Sequence, residues 1–171
     1  MIHADDTELF AAMRSNLFTA VVGDILDTMG LLHQFLPPNI KAMRDDMVTI
    51  GRAMPALEAD FFAVSEQGHA SVSAKPFGLM FAALDSLEPH EVYAASGSSP
   101  RYALWGELMS TRALHLKAAG AVLDGYVRDT LGIYALNFPT FGYGSCAQDQ
   151  GPRGKVVDAV RCPAGECLLS P

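Results

Sequence analysis

Apolar residues recur at three- and four-residue steps near the start of the chain. Leu9, Phe10, Met13, Leu17 and Val21 fall on one helical face, which predicts a helix over residues 7–30 with Gly30 as its stop. The same stretch also divides into two short helices near residues 16–19. Leu36-Pro37-Pro38 then interrupts regular structure, because proline supplies no backbone N–H. Residues 47–58 read as extended, and Pro55 places the end of that stretch near a sheet edge or a bulge. Residues 61–75 are mixed and Ser-rich, the composition of a surface loop.

From Pro76 onward the pattern sharpens. Pro76 suits a first helical position, and residues 77–87 read as a short buried helix. Residues 91–96 predict a strand, followed by a loop over residues 97–105. A helix begins near Gly106, with Met109, Ala113 and Leu116 on one face and Gly120 as its stop. Residues 121–124 form the next strand, a helical turn or two follows Arg128, and residues 139–143 and 154–160 read as further strands. Strand and helix alternating at this spacing implies parallel pairing with right-handed crossovers, an α/β domain with its chemistry at the carboxyl ends of the strands.

Composition narrows the class. Of 171 residues, 50% are hydrophobic and 18% charged, which suits one globular domain over residues 1–171. No apolar run is long enough to span a bilayer, and Asp5, Asp6 and Glu8 at the N-terminus do not make a secretory signal. The expectation is a cytoplasmic protein with no membrane partner. A net charge of −7 with scattered Lys and Arg argues against nucleic acid, which needs a concentrated cationic surface. Cys146, Cys162 and Cys167 read as three reduced thiols. His69, His90 and His115 are too widely spaced for a ligand set, and Ser96-Gly97-Ser98-Ser99 lacks the ending of a phosphate loop.

Two segments remain. Gly106, Glu107, Leu108 and Met109 open a helix after a strand, so their backbone N–H groups offer a cradle for a carboxylate. Arg128 and Asp129 follow the next strand. A guanidinium can fork onto a carboxylate or stabilise an enolate oxygen, and a neighbouring carboxylate can hold Mg²⁺ with its waters. On residues alone a plainer reading is favoured, in which Asp129 caps the following helix and Arg128 makes a surface ion pair.

The run Ala103-Leu104-Trp105-Gly106-Glu107-Leu108-Met109-Ser110, together with Gly125-Tyr126-Val127-Arg128-Asp129, resembles the RraA-like family, and the similarity spans residues 9–160. That family includes divalent-metal-dependent 4-hydroxy-4-methyl-2-oxoglutarate aldolases that also decarboxylate oxaloacetate. The resemblance implies a three-layer ββα sandwich of the swivelling-domain type, with a parallel βαβ core and N-terminal helices. It further implies a homotrimer or hexamer with its sites between subunits, and small 2-oxo acids as substrates. Carried onto this chain, it makes Gly106, Glu107, Leu108 and Met109 the substrate-carboxylate cradle. Arg128 becomes the substrate-binding and catalytic cation, and Asp129 the ligand for Mg²⁺ or Mn²⁺.

Two departures stand beside the resemblance. The aldolases carry an acidic residue three positions after the aspartate of the dyad, where this chain has Gly132. The end, Cys162-Pro163-Ala164-Gly165-Glu166-Cys167, does not resemble the family's tail, so a shortened or altered tail is expected. The alternative to a lyase is therefore a non-catalytic protein-interaction module, like the ribonuclease-inhibitor branch of the family.

Overall fold

The computed structural model describes residues 6–61 and 77–159. The N-terminal apolar periodicity is divided between two helices, α1 (Asp6–Asn16) and α2 (Thr19–Thr28), which meet at a bend of 101°. The break falls at Leu17 and Phe18, and Phe18 is extended at φ −138°. Gly30 ends the second helix with φ 76°, and its N–H bonds the Asp27 carbonyl. No single helix among the described residues is long and apolar enough to cross a membrane.

Six strands form the main sheet: β1 (Lys41–Ala42), β2 (Arg52–Asp60), β3 (Glu91–Ser96), β5 (Gly120–Leu123), β7 (Thr140–Gly142) and β8 (Gly154–Ala159). Their order is β1-β7-β5-β3-β2-β8; the four inner strands run parallel, and β1 and β8 pair antiparallel at the two ends. Pro55 sits within β2 opposite Ala94, and past it the register against β8 shifts between Leu57 and Glu58, with Val157 of β8 as the extra residue.

A second, two-stranded sheet pairs β4 (Ala103–Trp105) with β6 (Tyr126–Val127) in parallel. β4 lies within the segment predicted as loop. All three of its residues are buried, so it lacks the alternation by which a half-buried strand is recognised. With the main sheet and the helices α3 (Met80–Asp85), α4 (Glu107–His115) and α5 (Thr130–Leu136), this gives the mixed α/β architecture expected.

Two local readings need correction. The helix at residues 77–87 is shorter than predicted, because Phe77 and Gly78 both take positive φ and form a turn before Met80. Pro76 lies outside the described residues, as does most of the predicted 61–75 loop. Gly120 does not stop α4. Lys117, at φ 63°, takes the left-handed turn, and the Ala118 N–H reaches back to the Ala113 carbonyl. Gly120 instead opens β5, where a Cβ would lie 2.6 Å from Thr49 Oγ1 and 2.7 Å from the Pro139 carbonyl.

The core beneath the small sheet is aromatic. Trp105 is 1% exposed, lies 4.9 Å from Tyr93 between ring centroids and stacks on Phe138 at 6.1 Å. Its indole N–H donates to Ser110 Oγ at 2.7 Å, and that hydroxyl donates to the Gly106 carbonyl at 3.1 Å. The ring thus fixes the end of β4 to the first turn of α4. Burying a side chain of this size stabilises the fold by roughly 2–3 kcal/mol, so this joint is a firm one.

Candidate functional site

The site begins where the small sheet ends. Trp105 pairs with Val127, and the next residue on each strand is Gly106 and Arg128. The Arg128 N–H donates to the Trp105 carbonyl at 2.9 Å, locking the two exits together. The chemistry therefore leaves the β4–β6 pair rather than the main-sheet strands at 91–96 and 121–124 from which it was expected to emerge.

Gly106 is extended and occupies the cap position of α4, with no side-chain cap bond. The N–H groups of Glu107, Leu108 and Met109 therefore have no partner within the helix, and the positive end of its dipole lies beside them. A Cβ at position 106 would stand 3.2 Å from Asp129 Oδ2 and 3.3 Å from Arg128 Cγ. The absence of a side chain there lets the dyad sit against the start of the helix.

Asp129 precedes α5 with φ 54° and ψ 38°, left-handed for a residue with a side chain, and makes no capping hydrogen bond. That conformation costs about 1 kcal/mol. The reading in which Asp129 spends its carboxylate on capping is thereby excluded. Its Oδ2 lies 3.3 Å from Arg128 Nε, and the side chain remains 48% exposed. Arg128 is held from the other side too, with Nη1 3.1 Å from Asp149 Oδ1. The guanidinium is thus bracketed by two carboxylates.

Gly106, Leu108, Met109, Arg128 and Asp129 line one cavity of about 260 Å³. Asp149 and Gln150 complete its polar wall, while Phe81 and Trp105 are among its apolar residues. Glu107 contributes its backbone to the first turn of α4, but its side chain points elsewhere: the carboxyl group lies against the Cα of Gly132, where a Cβ would collide with it. Gly132 is one helical turn beyond Asp129. Position 132 thus carries no acidic side chain of its own, and the Glu107 carboxyl group occupies the space beside it.

Sequence reasoning missed Asp149 and Gln150. They lie twenty residues beyond the dyad in a turn of ordinary composition, and their only signal is a polar run, Gln148-Asp149-Gln150, before Gly151-Pro152. Of the histidines, His90 rests by Phe10 at 5.8 Å and Thr7 Oγ1 at 3.3 Å, away from this cavity. His69, Cys162 and Cys167 lie outside the described residues. Cys146 is a half-buried free thiol. Among the described residues no cluster of three or more His, Cys, Asp or Glu could cage a metal ion. The chemistry of Asp129 fits a Mg²⁺ ion held by one carboxylate and retained waters, since only its Oδ2 is engaged by Arg128.

Comparison with known proteins bears on the fold and the family. An uncharacterized protein of Methanocaldococcus jannaschii, MJ0644, is 28% identical over 138 residues, covering 78% of this chain; the chain spans 65% of that relative's length. Among solved structures, one of novel cellulases from microbes associated with the gut ecosystem superposes with a TM-score of 0.79 at 23% identity, covering 93% of this chain and 68% of that one. Streptomyces coelicolor RraAS2, an unusual member of the RNase ES inhibitor RraA protein family, superposes with a TM-score of 0.67 at 20% identity, covering 84% and 67%. At these identities the likeness is one of fold. The family model RraA-like (Aldolase/RraA) matches residues 19–166, and the chain belongs to that family.

Proposed function

We propose that the protein is a divalent-metal-dependent carbon–carbon lyase acting on small 2-oxo acids, by retro-aldol cleavage of 4-hydroxy-4-methyl-2-oxoglutarate, decarboxylation of oxaloacetate, or both. The observation that carries this reading is the convergence of an uncapped helix N-terminus, the Arg128 guanidinium and an Asp129 carboxylate that pairs with it through Oδ2 on one cavity.

Asp129 would hold Mg²⁺ or Mn²⁺ through one carboxylate oxygen. When bound, the ion supplies Lewis-acid polarisation of the substrate's carboxylate and carbonyl oxygens. The N–H groups of Glu107, Leu108 and Met109 orient the substrate carboxylate at the helix end. Arg128 faces the 2-oxo oxygen. As the C3–C4 bond of oxaloacetate breaks, CO₂ leaves and the electron pair moves into an enolate, whose oxygen the guanidinium stabilises. Protonation at C3 then gives pyruvate. Glu107, whose carboxyl group lies against Gly132 one helical turn after Asp129, would in this reading order metal-bound water from outside the cavity lining. Trp105 and Phe81 give the cavity an apolar wall beside the reacting carbons.

The test is pyruvate release from oxaloacetate with added Mg²⁺ or Mn²⁺, corrected for decarboxylation by the free metal. Turnover that vanishes with chelator supports the lyase. No release above the free-metal rate, from protein that binds Mn²⁺, rejects it.

A second reading has its own observation. Leu108 and Leu131 stand 80% and 82% exposed close to the cavity, and Phe81 on its wall is 56% exposed. Such a rim suits a protein surface, either that of a partner, as in an inhibitor-like interaction module, or that of another copy. We favour the copy. A further exposed apolar set on the N-terminal side, including Phe18, Met29, Leu32 and Phe35, would also be covered in a homotrimer or hexamer. Sedimentation showing a monomer at micromolar concentration would contradict that assembly.

A further inference from the structure

Glu58 is the most deeply buried charged side chain among the described residues, at 2% exposure, and it stands outside the cavity just described. The regular alternation of β2 turns it inward, onto the face shared with Met54 and Ala56, while the register shift beside it leaves the extra residue, Val157, on β8. Its Oε2 accepts a 2.6 Å hydrogen bond from Gln150 Nε2, while Oε1 is buried with no partner. Across the β2–β3 pair, the Tyr93 hydroxyl is likewise buried and unpartnered. A buried polar atom without a partner is costly, so a carboxyl group kept in this position needs a reason.

Gln150 supplies one. It is 2% exposed, yet it forms part of the wall of the Arg128 cavity. Its carbonyl accepts from the N–H groups of Arg153 and Gly154, at 2.7 and 2.8 Å, so main chain and side chain are both fixed. The preceding residue, Asp149, is the second carboxylate on Arg128.

We propose that Glu58 is a positioning residue for the Arg128 site: by anchoring Gln150 it fixes the 149–150 turn and so sets how Asp149 meets the guanidinium. The proposal rests on the reading that the Arg128 cavity is the functional site, but it concerns geometry that exists without substrate. Burial pushes the Glu58 carboxyl up to about 8, so the group is neutral at ordinary pH and can be both acceptor and donor. The titratable groups facing it are Tyr93 from β3, pushed up by burial and then by Glu58, and Tyr102 from the segment before β4, pushed up by burial and then by the Asp60 carboxylate that accepts its hydroxyl. Ionisation of Glu58 would remove its proton from a site that no cation among the described residues faces and would strain the anchor.

The experiment follows the carbon-detected ¹³Cζ–¹⁵Nε signal of Arg128 in the intact chain without ligand. Asp149→Asn first gives the position of the signal when the outer pair is weakened. Glu58→Leu and Gln150→Leu should each shift Arg128 toward that position. Glu58→Gln mimics the neutral carboxyl and should leave the signal at its wild-type place. Raising the pH through the Glu58 titration should move Arg128 in wild type and not in Glu58→Gln. An unmoved Arg128 signal in folded Gln150→Leu, or an identical pH response in wild type and Glu58→Gln, overturns the proposal; Gln150→Leu serves where Glu58→Leu does not fold. None of these readouts needs turnover. A protein that shows the expected shifts and releases no pyruvate refutes the lyase and leaves the positioning role standing.

Discussion

Replacing Glu58 by Gln should make the protein more stable, by an amount that depends on pH. Burial raises the Glu58 carboxyl from 4.5 to about 8, so at pH 7 it is protonated when folded and ionised when unfolded. A raised folded pKa means that the folded state binds the extra proton. Stability from this group is then fully present below 4.5 and falls as pH rises through the window up to about 8. Each unit in that window costs about 1.4 kcal/mol, giving roughly 3 kcal/mol by pH 7 and about 5 kcal/mol once the folded group has also ionised. Gln carries no such proton. Its amide oxygen can still accept from Gln150 Nε2, so the anchor survives the change. Urea unfolding of both proteins at matched pH values from mildly acid to mildly alkaline gives the difference directly. The other titrating groups are common to both and cancel. The gain should be small at the acid end, grow steadily to about 3 kcal/mol near neutrality and flatten in alkali. Two parallel stability curves would show that Glu58 is ionised in the folded protein, and the account of its burial would fail.

Four further outcomes follow from the site. Arg128→Ala should lower kcat and kcat/KM together by ~10²–10³, with little recovery in Arg128→Lys because an ammonium cannot fork onto a planar oxygen pair; unchanged turnover in folded Arg128→Ala would remove it from the chemistry. Asp129→Ala should abolish site-specific Mn²⁺ binding as read by electron paramagnetic resonance, and retained binding would place the ion elsewhere. Gly106→Ala puts a Cβ 3.2 Å from Asp129 Oδ2 and 3.3 Å from Arg128 Cγ; the variant should fold with near-native stability yet lose activity, as a displacement below 1 Å at a reacting centre can cost about 10²-fold. Gly132→Ala must expel the Glu107 carboxylate from its seat, so Glu107→Ala and Gly132→Ala should impair pyruvate release to a similar degree, and additive losses in the double variant would separate them.

How far the sequence could be read depended on how each element advertises itself. The main-sheet strands at 91–96 and 121–124 were legible to within a residue, because short apolar runs between turn residues are what a doubly covered parallel strand requires. β4 was not, since three buried residues carry no period. The division of the first helix was visible only as an alternative, for neither proline nor glycine marks Leu17 and Phe18. Gly120 misled because glycine usually ends helices, whereas here Lys117 bears the positive φ. In the site, Gly106, Arg128 and Asp129 were found through their spacing and the resemblance it carried. Asp149 was invisible, being joined to the dyad only through folding. Glu58 left a usable trace: Met54, Ala56 and Glu58 alternate onto one face of β2, and a charge at an inward position of a strand is the anomaly to look for.

The pairing of Trp105 with Val127 has a consequence for how this site can vary. Adjacent strands lie about 4.8 Å apart whatever their side chains, so the ladder acts as a ruler between the exits to Gly106 and Arg128. Of the twenty-one residues that separate them, only Tyr126 and Val127 belong to that ladder. The return segment at residues 116–119, which ends α4 and leads into β5, can be lengthened without moving the cradle from the guanidinium. A cut or inserted residue inside β4 or β6, by contrast, slips the register and turns the exits apart. Length variation among descendants of this chain should accumulate in the first place and be purged from the second.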